Sequence, residues 1–582
     1  MCMTNNTKSS LSLLRRFIGE ALSERRTLLI VVISIVGSAL ATLLSPYILS
    51  IVIDRYIIPG RYGELGLMAL LYFLSLVAQW FFVTLQTFYT EVFGQKVLRN
   101  LRDRLHEKIL ASNLDFFKEK STGDLVSRII NDTSVVNDVL VSGLLGGLGS
   151  LLSLGGIIVA MLLLDVKLTL VALASVPLMV FVALYFGTKM RRAYRETRRK
   201  IAKISSVVEE SVAGIETIKA FGTEEKAEKE FSRVSMETIK AYLRVAVYMG
   251  FFWPLMNITS LLSVILVIGY GGYLEYTGEV SIGIVVAFIQ YAQRFRGPIN
   301  NVVSMYDSLQ SALAALERIY EVLDDENVED TAGVEVERLR GEVEFRDVWF
   351  EYEEGRPVLR GVNLHIRPGS KVAIVGRTGA GKTTIANLIM RFYDPTEGSI
   401  LYDGRDGRGI SRKSLRKRIG YVPQETYLFP GTVMENVLMA NPEATEEDVV
   451  RVCKRLGVHD FIMKLPKGYE TSAGEAGKLL SVGERQLISL ARALLKDPDI
   501  VILDEALSSV DPKTERLVQD AMLRLMEGRT SVIIAHRLSI TRFVDEVVVV
   551  ENGEVVERGP IDALLANGGH FYRLYASQMQ GD

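Results

Sequence analysis

The sequence predicts an all-α transmembrane domain of six helices with long cytoplasmic helical extensions, followed by an α/β P-loop domain. Three observations carry this expectation. Apolar stretches of membrane-spanning length fill the first half, and an acidic, polar stretch, "EVLDDENVEDTAGVEVERLR", runs from Glu321 to Arg340. Beyond it, short Val/Ile-rich runs bounded by Gly and Pro alternate with helical stretches. At 582 residues the chain is too long for one core, and its averages of 48% hydrophobic and 23% charged, with mean hydropathy +0.21, mix two unlike parts. The expected division is 1–320 for the membrane domain, 321–340 for a linker and 341–582 for the soluble domain.

A net charge of −2 and a pI near 6.3 provide no global field for nucleic acid. Two cysteines, Cys2 and Cys453, cannot build a disulfide framework or a four-thiolate zinc site. No apolar segment precedes Cys2, which argues against a lipoprotein anchor. The first apolar run begins near Leu28 and is too long for a signal peptide.

The expected spans are Leu28 to Val52, Leu65 to Tyr89, Val141 to Leu164, Leu168 to Phe186, Phe251 to Tyr270 and Val280 to about Ile299. Short and long links alternate between them. The long links hold basic clusters, Lys96, Arg99, Arg102, Arg104 and Lys108 in one and Arg191, Arg192, Arg195, Arg198 and Arg199 in the other, which the positive-inside rule places in the cytoplasm with both termini. Their helical periodicity makes them continuations of the spans. Gln79, Gln86 and, just past its end, Thr90 share one helical face of the second span, and Gln290, Gln293, Arg294 and Arg296 cluster in the sixth near the inner leaflet. Polar groups at that depth face a cavity or are satisfied helix contacts. The run "GLLGGLGSLLSLGG", Gly143 to Gly156, reads as close helix packing.

In the second half, "KVAIVGRTGAGKTT" is a strand, a glycine-rich turn and a helix start. Gly376, Arg377, Thr378, Gly379, Ala380 and Gly381 form a loop whose backbone N–H groups can surround a phosphate; Lys382 reaches the β/γ-phosphates, and Thr383, followed by Thr384, can hold Mg²⁺. "IVILDE" is an apolar strand ending in Asp504, placed for Mg²⁺, and Glu505, placed to polarise an attacking water. "TSVIIAH" ends another strand at His536, which alone reads as structural and, as the third polar group at the strand ends, as a γ-phosphate sensor. No guanine-reading Asn-Lys-x-Asp occurs, so ATP is favoured. Tyr352 can stack on a base or belong to the core.

The motif order resembles the ABC transporter superfamily, specifically bacterial multidrug- or lipid-type exporter half-transporters with six spans and one nucleotide-binding domain. The resemblance covers essentially the whole chain. It makes Tyr352 the adenine-stacking aromatic, "GRTGAGKT" the Walker A motif and Gln424 the Q-loop glutamine, a further Mg²⁺ ligand. "TSAGEAGKLLSVGERQ" becomes X-loop plus signature, "IVILDE" Walker B with its catalytic glutamate, "SSVD" ending at Asp511 the D-loop, and His536 the switch histidine. "FFKEKSTGDLVSRIINDT", Phe116 to Thr133, and "EESVAGIETIKAFGTEE", Glu209 to Glu225, look like loops carrying coupling helices. The family implies two nucleotide-binding domains closing head to tail on two ATP molecules, Walker A of one chain facing Ser481 and Gly483 of the other.

One departure stands out: "LSVGER" puts Val482 at the usual first glycine and Glu484 at the usual glutamine of the signature. A β-branched residue is expected to narrow needed backbone freedom, and a carboxylate to add charge beside an anion. An intact Glu505 with a weakened signature resembles one half of a heterodimeric exporter; a homodimeric lipid or peptide exporter is the alternative. The implied activity is ATP-driven export of amphipathic molecules across the bacterial cytoplasmic membrane, with membrane lipid as surroundings. Its rivals are an ATP-gated channel or regulatory protein, which the intact Glu505 opposes, and a soluble repair-type ATPase, which the six spans oppose.

Overall fold

Backbone N–H and C=O groups find no water in a bilayer core, so an apolar segment crosses it as a helix that satisfies its own hydrogen bonds. The amino-terminal part of the computed structural model, which describes residues 2–329, 332–504, 512–535 and 538–579, follows this rule. The chain falls into two units, Met1–Ser112 with Phe117–Glu326, and Asn113–Phe116 with Asn327–Asp582.

Among the described residues five helical stretches are long and apolar enough to cross a membrane: Ser12–Ile57, Tyr62–Ala111, Thr122–Leu164, Val166–Ala213 and Glu224–Tyr276. Their main helices are α1 (Arg25–Val52), α2 (Leu65–Ala111), α3 (Gly146–Leu164), α4 (Val176–Ala213) and α5 (Glu224–Tyr276). The expected sixth span differs. It consists of α6 (Ile282–Arg294) and α7 (Arg296–Leu323), interrupted at Phe295, because Pro298 has no N–H for the Arg294 carbonyl four residues back. Phe295 keeps helical angles, φ −64° and ψ −34°, so the chain continues through the break.

The 47 residues of α2 extend about 70 Å at 1.5 Å per residue, more than twice a hydrocarbon core, so the charged links do continue the spans. Breaks come where glycine permits them: α4 ends at Gly214, and the short helix Ile215–Phe221 stops at Gly222, φ +61°. Trp80 and Leu163 are 68% and 82% exposed, an apolar exterior suited to lipid and not to water. Within the unit, small residues set the packing: a Cβ on Gly147 would lie 2.5 Å from Met305 Sδ and one on Gly156 3.0 Å from Leu43.

The second unit is α/β. Its strands are β1 (Val343–Glu351), β2 (Pro357–Ile366), β3 (Lys371–Val375), β4 (Glu397–Tyr402), β5 (Arg405–Asp406), β6 (Ile419–Val422), β7 (Ile500–Asp504), β8 (Thr530–Ile534), β9 (Glu546–Glu551) and β10 (Glu554–Gly559). Two sheets form, an antiparallel one ordered β2-β1-β4-β5 and a six-stranded one ordered β10-β9-β3-β8-β7-β6, parallel from β9 to β6. Both faces of the parallel sheet are covered, which explains its uninterrupted Val/Ile runs. Val372 and Ile374 enter one core layer with Phe345 and Leu388; Ala373 and Val375 enter the other with Leu487 and Ile488. Helices α8 (Lys382–Ile389) and α9 (Val482–Leu495) carry the motif residues described below.

Lys496 is a half-buried cation held at a cost. Lys496, just past α9, donates to the Ile419 carbonyl at 3.0 Å, and burial, with Arg416 nearby, lowers its pKa to about 8. Below pH 8 the amine is protonated folded and unfolded, and the native state bears the full desolvation penalty. Between pH 8 and about 10.5 the native state releases its proton first and the penalty fades. The intact chain therefore gains thermal stability relative to Lys496→Met as pH rises through that window, by about 3 kcal/mol at most, and paired unfolding curves measure it.

Candidate functional site

Parallel register brings the polar strand ends together. Ile374 of β3 and Asp504 of β7 both pair with Ile534 of β8, and Val422 of β6 pairs with Leu503. The glycine loop after β3, Asp504 and Gln424 two residues beyond β6 thus leave the carboxyl edge of one sheet, where open α/β sheets bind ligands. Asp504 is 3% exposed and Gln424 exposed. Glu505, Asp511 and His536 lie outside the described residues.

The loop is a cradle that side chains would fill. A Cβ on Gly376 would run into the Val550 carbonyl oxygen, and one on Gly381, which sits at φ +105°, would come within 2.6 Å of Leu359. Gly381 caps α8, whose first-turn N–H groups have no intrahelical acceptor. Arg377, Thr378 and Gly379 are exposed on the rim and Ala380 is buried below. Lys382 is 3% exposed, its amine donating to the carbonyls of Gly376 at 2.8 Å and Arg377 at 3.0 Å, so a positive charge sits across the loop it serves. Thr383 is exposed and Thr384 buried. A glycine loop, a helix N-terminus and a bridging ammonium fit a polyphosphate.

Tyr352 stands beside this loop. Its hydroxyl donates to Thr384 Oγ1 at 3.2 Å and accepts from Asn387 Nδ2 at 3.3 Å. Its ring meets Phe350 and Tyr393 edge-on, centroids 4.8 and 5.3 Å away. The ring is 36% exposed. Asn387 and Tyr393 were not singled out from the sequence; nothing in their spacing marks them, because they meet Tyr352 only through the fold. Near Asp504, burial and the neighbouring carboxylate push the Tyr421 phenol up to about 12, so it stays neutral.

The signature forms the start of α9. Ser481 is its extended N-cap, φ −63° and ψ 164°, and Glu484 closes a capping box: its carboxylate accepts from the Ser481 N–H at 2.6 Å while Ser481 Oγ accepts from the Glu484 N–H at 3.4 Å. The Ser481-x-x-Glu484 spacing announces this box. Val482 is the first helical residue and has no positive φ, so the expected loss of backbone freedom is overturned: any residue adopts this conformation. Its side chain is 38% exposed and Gly483 is buried. What remains of the departure is the charge of Glu484 on a helix N-terminus. Two residues on, Gln486 is 1% exposed and neither polar atom of its amide has a partner among the described residues. From the same helix the half-buried Arg492 donates to Asn436 O and Oδ1, both at 2.9 Å, and to Tyr427 O at 3.2 Å, fastening the segment after Gln424.

The membrane candidates separate. Gln86 accepts from Ser38 Oγ at 2.5 Å, and Arg294 donates to the Thr42 carbonyl and, at 2.8 Å, to Ser45 Oγ; both are helix contacts. Gln79 and Gln290 are half-buried and Gln293 is exposed.

Residues 28–299 match the family model described as ABC transporter transmembrane region, and residues 359–508 the one described as ABC transporter. The chain is 36% identical over 580 residues to the uncharacterised ABC transporter ATP-binding protein YfiC of Bacillus subtilis (strain 168), covering 98% of this chain and 95% of that one. It is 35% identical to the ATP-dependent lipid A-core flippase of Syntrophus aciditrophicus (strain SB), over 94% and 90% of the two chains. A solved bacterial Atm1-family ABC exporter with ATP bound superposes with TM-score 0.78 at 27% identity, over 95% of this chain and 98% of that one.

If the Tyr352 ring supports a base, Tyr352→Ala weakens ATP binding about tenfold, stacking being worth roughly 1–3 kcal/mol, and leaves tripolyphosphate binding unchanged. Calorimetric titration with the two ligands reads the difference.

Proposed function

The chain belongs to the ABC transporter family, and on that premise we propose that it is an exporter half-transporter that uses ATP to export amphipathic small molecules, drugs or lipids, or to flip them between leaflets, across the bacterial cytoplasmic membrane by alternating access. Its termini lie in the cytoplasm. The observation that carries this reading is the fusion, in one chain, of lipid-facing helices with a sheet edge built for a polyphosphate. A fused chain favours export over import, and the lipid A-core flippase among its relatives supports lipid-like cargo.

In this reading Tyr352 supports the adenine, residues 376–384 enclose the phosphates, and Asp504, Thr383 and Gln424 hold Mg²⁺. Glu505 takes the proton of the attacking water and His536 contacts the γ-phosphate. When bound, ATP supplies the negative charge that neutralises the loop and the anhydride whose cleavage makes the cycle one-way. Ser481, Gly483 and Asp511 serve the site of a second half-transporter. That partner is a different chain on our reading, because Glu484 places a carboxylate where a γ-phosphate would approach; the well-formed capping box is what favours a second copy instead. Two unlike chains copurifying at one to one decide between them.

Glu505→Gln keeps ATP binding and lowers turnover about 100-fold or more, measured by nucleotide affinity beside phosphate release; unchanged hydrolysis removes Glu505 from the chemistry. Glu484→Gln retains the capping box without its charge and strengthens ATP capture at the site this signature completes, whereas Val482→Gly changes little. Single-turnover assays that resolve the two sites read both effects, and an equal response of the sites defeats the in-trans assignment. Export itself is tested in sealed vesicles with a panel of fluorescent lipids and cationic dyes: ATP-dependent movement of at least one is expected, and hydrolysis without any movement overturns the proposal.

A further inference from the structure

A proline inside a helix leaves the carbonyl four residues earlier without its N–H donor. In lipid that carbonyl has no water to turn to. Pro46 in α1 does this to Thr42, and the Arg294 guanidinium, coming from the end of α6, donates to the Thr42 carbonyl and to Ser45 Oγ. One turn earlier on α6, the Tyr291 hydroxyl donates to the Leu43 carbonyl at 2.7 Å. Two residues further along, Arg296 reaches α5, which carries Pro254 within its continuous helix. Its guanidinium lies 4.9 Å over the Trp253 ring and donates to Asn257 Oδ1, so it spans that proline from both sides. Between the two arginines is the break at Phe295, caused by Pro298. Residues two apart on a helix point about 200° from each other, so the pair reaches neighbours on opposite sides.

We infer that Arg294 and Arg296 are positioning residues that brace the proline sites of α1 and α5 and the break of the α6–α7 helix against one another, so that these helices bend together when the membrane domain reorients. Arg294 replaces the backbone donor that Pro46 lacks, and Arg296 holds the flanks of Pro254. The part concerning reorientation rests on the exporter reading; the part concerning the freed carbonyl does not.

A thermal double-mutant cycle on the full chain in lipid nanodiscs tests the freed carbonyl. Arg294→Met lowers the unfolding midpoint by about 3 °C or more. Combined with Pro46→Ala, which restores the N–H, it lowers the midpoint by less than half as much. Equal losses in both backgrounds overturn the assignment; should Arg294→Met fail to fold, Arg294→Gln enters the same cycle. For the brace, pairs of spin labels flanking Pro46 on α1 and Phe295 on the α6–α7 helix report, as a distance change across each bend, the bending driven by ATP and Mg²⁺, after replacement of Cys2 and Cys453. Arg294→Met and Arg296→Met each reduce that change at least twofold while ATP is still hydrolysed, and Arg296→Lys, which keeps a cation for Trp253, restores part of it. A full distance change in both methionine variants defeats the brace. If the unsubstituted chain shows no ATP-driven change, the exporter reading fails instead, and the thermal cycle alone decides the role of Arg294.

Discussion

Where backbone hydrogen bonds go is the constraint on which the rest of this structure depends. Within the bilayer core every carbonyl and N–H must be met inside the protein, which is why the apolar segments cross it as helices. The exceptions locate the interesting chemistry. A carbonyl freed at Pro46 is answered by a guanidinium from another helix, and a break at Phe295 lies where that guanidinium originates. An intramembrane arginine that would invite assignment to a substrate cavity is occupied with a backbone group.

The soluble unit uses the same constraint in reverse. Its parallel strands exhaust their hydrogen bonds within the sheet and bury both faces, leaving open donors at the carboxyl edge, where the chain turns through glycine into the first turn of α8. That edge carries the anion-seeking groups, and the tight approach of Gly376 to Val550 ties the loop to β9 rather than leaving it a free turn. The signature helix follows the same logic: Glu484 satisfies the backbone at its N-terminus and thereby brings a negative charge to a position that a neutral glutamine would fill equally well.

Much of this was legible from residues alone, and for a definite reason. Membrane spans, the glycine loop and the aspartate ending an apolar strand are written in runs of adjacent residues, and local chemistry is enough to read them. For Tyr352 the residues alone leave base stacking and core both open, because what holds its ring, Phe350, Tyr393 and Thr384, includes residues 41 positions away. At Val482 the backbone is helical, and a substitution at a glycine position implies strain only where the backbone is left-handed, an angle that is a property of the fold.

The sequence by itself determined the two-part architecture, the polyphosphate loop and the family, since each follows from local pattern and length. Tertiary structure alone decided that Gln86 and Arg294 face neighbouring helices, that the sixth span is interrupted, and that Glu484 turns back onto its own helix. Those outcomes depend on which carbonyl, hydroxyl or N–H lies within about 3 Å of a side chain, and such distances exist only once helices far apart in sequence have packed.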